Sequence, residues 1–112
     1  MNITYSNRKV EKMCTSLIEA KKRFPEKVAK KLLKLINVIE ASDSLESLNN
    51  LRIFRFHDLK GERNGEFAFD IDGKKCSYRL IVSFENISKD TVFQNSASID
   101  AIEIREVSNH YE

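Results

Sequence analysis

The sequence predicts an α+β domain in which an N-terminal strand leads into a two-helix antiparallel hairpin packed on one face of a twisted, mainly antiparallel sheet. Three observations carry this expectation. Apolar residues recur at three- and four-residue steps through residues 7–41, the signature of amphipathic helices. From residue 52 onward they alternate with polar ones, the signature of half-buried strands. The composition, 41% apolar and 32% charged with three glycines and one proline in 112 residues, is that of an ordinary folded chain, so one domain over residues 1–112 is expected.

Each element has a local reason. Ile3 and Tyr5 alternate with polar neighbours, which predicts a short strand over 2–5. Ser6 or Asn7 then caps a helix of about 7–23, with Val10, Met13, Cys14, Leu17 and Ile18 on its buried face. Pro25 is tolerated in a first helical turn, so a second helix runs over about 25–41, burying Val28, Leu32, Leu35, Ile36 and Ile39 and turning Lys27, Lys30, Lys31 and Lys34 outward. Residues 42–51 read as a turn or short helical bridge.

The stretch Arg52 to Gly65, RIFRFHDLKGERNG, concentrates cations. As a strand it places Phe54 and Phe56 on the core face and Arg55 and His57 on the other, and the following turn adds Lys60 and Arg63. Phe67, Phe69 and Ile71 lead to an Asp72-Gly73 turn, and Tyr78, Leu80, Val82 and Phe84 return, which predicts a hairpin with Arg79 on the open face. Residues 85–98 read as a loop or ragged extension with Val92 and Phe93 docked on the surface. A last strand over 99–107 has a phase change between Ile99 and Ile102 that predicts a bulge there.

Charge is unevenly spread. Residues 1–41 carry ten Lys and Arg against four Glu, a net +6, and residues 42–112 carry nine against thirteen acids, a net −4. A basic helical half suits an acidic partner, nucleic acid or a solvated lysine face. Cys14 and Cys76 lack metal or disulfide spacing, which predicts reduced thiols. No signal-like or membrane-length apolar run is present, so a cytoplasmic protein without a membrane contact is expected. There is no Gly-rich phosphate loop, no carboxylate cluster at metal spacing and no nucleophile motif, so neither cofactor nor metal is expected.

The residues would also allow metal-independent RNA cleavage. That reaction needs a group to take the 2′-hydroxyl proton, a group to protonate the leaving oxygen, and cations around the phosphate. Histidine titrates in the right range for the proton steps, and Lys and Arg meet the phosphate charge. The chain offers His57, His110, Lys60, Arg63 and Arg79. Structural roles stay open for each: His57 as a sheet histidine, Lys60 and Arg63 as solvated turn residues, Arg79 paired with Asp70 or Glu66.

The run Phe56-His57-Asp58-Leu59-Lys60-Gly61-Glu62-Arg63-Asn64-Gly65, the aromatic strand after it and Tyr78-Arg79-Leu80 resemble the HigB toxins of the RelE/ParE superfamily. The resemblance implies a small RelE-like toxin of a type II toxin–antitoxin system. Such a protein cuts messenger RNA on the ribosome and pairs with a helix-turn-helix antitoxin in a hetero-oligomer. It assigns His57, Lys60, Arg79, His110 and Tyr111 to catalysis, with His57 and His110 sharing the acid and base roles and Tyr111 stacking on or orienting a nucleotide. Arg55 and Arg63 fall to substrate binding. The family often ends Asp-Tyr-His, whereas this chain ends Asn109-His110-Tyr111-Glu112, which leaves open which of His110 and Tyr111 takes the catalytic position. Two further readings stand beside it: a non-enzymatic ParE-like inhibitor of DNA gyrase, and an RNA-binding module without catalysis. The lysine face of the helical half is an expected antitoxin surface, with the active face as the alternative.

Overall fold

The computed structural model describes residues 1–109; His110 and Tyr111 lie outside the described residues. The chain runs β1 (Asn2–Tyr5), α1 (Arg8–Thr15), α2 (Leu17–Arg23), α3 (Glu26–Ala41), α4 (Leu45–Asn49), β2 (His57–Asp58), β3 (Phe67–Asp70), β4 (Tyr78–Ser83), α5 (Lys89–Gln94) and β5 (Ala101–Asn109). The described strands form one sheet in the order β1-β5-β4-β3-β2. β1 runs parallel to β5 and the other pairings are antiparallel. This is the mixed, mainly antiparallel α+β architecture expected.

The first helix is two helices. Ser16 is extended (φ −131°, ψ 118°), and its hydroxyl accepts from the Glu19 N–H at 3.3 Å to cap α2, while Thr15 Oγ1 donates back to the Glu11 carbonyl at 2.7 Å. Adjacent hydroxyls offering the backbone other partners end a helix that periodicity alone would continue. The break resets the phase. Val10, Met13 and Cys14 are buried as expected, but Leu17 is partly exposed and Ile18 is 71% exposed. In α3 the predicted stripe of Val28, Leu32, Leu35, Ile36 and Ile39 is buried throughout.

The core lies between these helices and one sheet face, with Phe67, Phe69, Leu80, Val82, Ile102 and Ile104 supplied by the strands. Phe56 stacks on Phe67 at 5.4 Å between ring centroids and packs against Phe69 at 4.9 Å. Residues 85–98 are not a loop: Ser88 caps α5, whose Val92 is fully buried, while Phe93 remains partly exposed. Six residues spaced by polar side chains hide a helix this short from a periodicity test. Lys89 Nζ ties α5 to Asp58 Oδ2 of β2 at 2.6 Å and holds the Asp58 carboxyl below its usual range. A depressed folded pKa gives stabilisation that is present above the unfolded value, about 3.9, and is lost as pH falls through the folded one. An NMR titration should therefore place the Asp58 midpoint below that of an unpaired aspartate, and Lys89→Ala should return it there.

The other corrections concern the sheet. Residues 52–56 are not strand: Arg52–Phe54 form a 3-10 turn and Arg55 is left-handed (φ 43°, ψ 57°), leaving only His57–Asp58 paired. A non-glycine residue pays roughly 1–2 kcal/mol for that conformation. The hairpin between β3 and β4 is not closed by a two-residue turn, because residues 71–77 form a longer connection with Gly73 at φ 78°. The bulge is at Arg105, where the pairing steps from Ile81↔Glu106 to Val82↔Ile104, and not near Ile99.

Candidate functional site

The bulge decides which β5 residues reach the sheet face away from the helices. In a continuous alternation Glu106 and Ser108 would follow Ile102 and Ile104 into the core. One extra residue flips them out and sends Val107 inward, against Leu80. Two cross-strand rows result. His57, Ala68, Ile81 and Glu106 are successive partners across four strands. Asp70, Arg79 and Ser108 form the row beside them. This face is the predicted open one, yet Ala68, Asp70, Ile81 and Arg79 are all buried on it, covered by the chain around Leu59 and by the long side chains themselves.

A small cavity opens here, lined by His57, Leu59, Arg63, Ala68, Arg79, Ile81 and Ser108, with a volume of about 20 Å³. That is room for one water molecule and not for a base. A larger ligand would lie across the mouth with only a single small group reaching in. Ala68, Ile81 and Leu59 give the cavity an apolar floor, which lowers the local dielectric and strengthens charge effects above it.

Among the described residues His57 makes one imidazole hydrogen bond, Nδ1 to the Arg55 carbonyl at 2.7 Å. A carbonyl only accepts, so Nδ1 donates, and in the neutral ring Nε2 carries the free lone pair. The ring is therefore set up to take a proton at Nε2.

The cations are distributed differently from the expectation. Arg79 is 6% exposed; its Nη1 donates to the carbonyls of Cys76 and of Tyr78 (3.0 Å), and Nη2 to that of Lys74 (3.2 Å). Its Nε lies 2.9 Å from Asp70 Oδ1, an ion pair whose N–H is poorly aligned for a hydrogen bond. Asp70, itself 1% exposed, also accepts from Arg55 Nε at 3.0 Å and Nη2 at 3.4 Å. Arg79 is thus pinned at the cavity wall and braces the 71–77 connection. Arg55, expected to face substrate, is spent on Asp70.

Arg63 lines the cavity between two carboxylates, Glu66 at 3.0 Å and Glu106 at 2.6 Å, and these raise its pKa against the opposing effect of burial. Glu66 and Glu103 also hold Arg105. Lys60 is exposed at the start of the 3-10 turn Gly61–Arg63 and is not part of the cavity lining. Of the predicted residues the structure therefore brings His57, Arg63 and Arg79 together, leaves Lys60 outside, and turns Arg55 to a supporting contact. Sequence reasoning missed Glu106 and Ser108, whose only signal was the polar break in the β5 alternation. Among the described residues no cluster of His, Cys, Asp and Glu could hold a metal ion, and no helix is long and apolar enough to cross a membrane.

No protein-family model and no curated protein matches the chain. Solved structures do. The YoeB–YefM complex from Staphylococcus aureus contains a chain 21% identical, aligned over 99% of this chain and 98% of that one with a TM-score of 0.54. The YoeB dimer from Staphylococcus aureus aligns over the same shares at 21% identity and a TM-score of 0.53. Likeness over nearly the full length of both chains, with the strand-first α+β order and mixed sheet described above, makes this the RelE-like fold.

Proposed function

We propose that this protein is the toxin of a type II toxin–antitoxin system and a metal-independent endoribonuclease that cuts messenger RNA on the ribosome. The observation that carries the reading is the cavity in which His57, with its Nδ1 engaged by the Arg55 carbonyl, meets Arg63 and Arg79 over an apolar floor. In this reading His57 Nε2 takes the proton of a ribose 2′-hydroxyl, whose oxygen attacks the adjacent phosphorus and displaces the 5′-oxygen of the next nucleotide. The products are a 2′,3′-cyclic phosphate and a 5′-hydroxyl. Arg63 and Arg79 meet the charge that grows on the phosphate, and Lys60 adds a cation at the rim. His110 protonates the leaving oxygen and Tyr111 orients a nucleotide; both roles stem from the family resemblance. Sequencing of transcript ends after brief expression tests this: new ends within translated messages are expected, and intact messages beside stalled gyrase would instead favour the ParE-like activity.

One observation favours a second reading, RNA binding without catalysis. Arg79 makes three hydrogen bonds to main-chain carbonyls and pairs its charge with Asp70, which leaves less of it for a transition state. Binding that depends on salt but yields no new ends would select it.

The partner in this reading is an antitoxin, as YefM accompanies YoeB in one structure of this fold. Its docking surface is the outer face of α3. Two grooves of about 460 and 260 Å³ meet there at Lys34 and Val38. Leu17 and Leu33 line the first, Leu51, Ile53 and Phe54 the second, with Ile53 71% exposed. Lys30, Lys31 and Lys34 rim them, so an acidic amphipathic segment is the complementary occupant. Ile53→Asp together with Lys31→Glu and Lys34→Glu should weaken a co-expressed antitoxin by at least about tenfold in Kd. Unchanged affinity would move the partner to the cavity face.

A further inference from the structure

A left-handed backbone position ordinarily goes to glycine or asparagine. Here it holds Arg55, and the side chain that makes the position unfavourable is the one that reaches a carboxylate 1% exposed. The two ends of Arg55 do different things. Its guanidinium grips Asp70 through Nε at 3.0 Å and Nη2 at 3.4 Å, and its carbonyl accepts the Nδ1 proton of His57 at 2.7 Å. Asp70 sits in the middle of the sheet, paired with Arg79 in strand register and held from the other side by that residue's Nε. The carboxylate is therefore a fixed anchor.

We infer that Asp70 and Arg55 are positioning residues: the Asp70–Arg55 ion pair holds the Arg55 carbonyl where it selects the Nδ1–H tautomer of His57. Free histidine favours the Nε2–H form, which would leave Nδ1 without a proton to donate to the Arg55 carbonyl. The anchored carbonyl reverses that preference. No substrate contact by either residue is needed. The catalytic meaning of the tautomer rests on the ribonuclease reading, but the tautomer itself does not.

The test uses the full-length protein with 15N-labelled histidine, observed by NMR above the histidine titration range, with His110→Gln serving to assign the two rings. In the wild type His57 should be predominantly Nδ1–H. Arg55→Ala, which removes the guanidinium, should raise the Nε2–H form to the majority while the near-ultraviolet circular dichroism stays native. Arg55→Gly, which adopts the backbone conformation freely but has no anchor, should shift the same way. A folded Arg55→Ala protein that keeps the wild-type tautomer overturns the inference, as does a wild type in the Nε2–H form. Messenger RNA cleavage by Arg55→Ala should fall about 10- to 100-fold, the cost of a displaced proton acceptor. A tautomer change in a protein whose wild type cuts no RNA supports the positioning and overturns only the ribonuclease reading. Cleavage with no tautomer change in the variant overturns the positioning alone.

Discussion

His57→Ala should depress messenger RNA cleavage by about 10²- to 10⁴-fold, the range that a positioned proton acceptor ordinarily supplies. The ring lies at the end of a cross-strand row whose next members, Ala68 and Ile81, cannot take a proton, and whose fourth, Glu106, lies two strands beyond Ala68 and is held by Arg63 at 2.6 Å. Asp58, the adjacent carboxylate, is held ionised by Lys89 and is partnered with Phe67, on the core-facing parity of β3. Since His57 is half-buried and, among the described residues, makes a single local hydrogen bond, its loss should leave the fold standing. The measurement is the rate at which purified wild type and variant cut a message on programmed ribosomes, beside their thermal unfolding curves. A loss of cleavage without a loss of stability is expected. Full activity in the variant would remove His57 from the mechanism.

Asp70→Ala should destabilise the protein by about 3–5 kcal/mol, the cost of leaving one partner of a buried ion pair without its counter-charge. Arg79 is the partner at risk, with its side chain 8% exposed and its Nε facing that carboxylate. Arg55, 43% exposed, can turn to water when Asp70 is gone, and its share of the loss is small. Removing both charges should be milder: Asp70→Leu combined with Arg79→Met should recover much of the loss, because an apolar pair of similar volume needs no desolvation. Denaturant unfolding of the wild type and these two variants checks this. If Asp70→Ala cost less than about 1 kcal/mol, the carboxylate would not be the anchor described here.

Particular residues show what the sequence could convey. The α3 stripe and the Phe67, Phe69, Leu80, Val82 alternation were legible because each depends on burial against a single layer, which periodicity reports directly. The break at Ser16 was not, because two hydroxyls competing for backbone partners leave the apolar spacing intact. The stretch Arg52 to Phe56 alternates like a strand but turns, with Arg55 left-handed and its guanidinium on the buried Asp70, fifteen residues later. A contact of that kind has no local signal.

The candidate site divides in the same way. His57 and Arg79 were assigned to the open face from strand parity, and both lie there, facing the cavity. Their neighbours Glu106 and Ser108 were hidden by a bulge that the alternation suggested but placed near Ile99 instead of Arg105. Lys60 and Arg63, adjacent in one short turn, part ways: the 3-10 geometry carries Arg63 to Glu66 and Glu106 at the cavity and leaves Lys60 in solvent. Composition marks such a loop as cationic but cannot say which cation looks inward.

If the His57 cavity cleaves RNA as proposed, the attacking oxygen is the substrate's own 2′-hydroxyl. Mass spectrometry of the upstream fragment left when the purified protein cuts a ribosome-bound message reads that chemistry directly. A 2′,3′-cyclic phosphate terminus from the wild type that disappears with His57→Ala is expected. A 3′-hydroxyl terminus, or cyclic phosphate ends formed equally well by the variant, would contradict it.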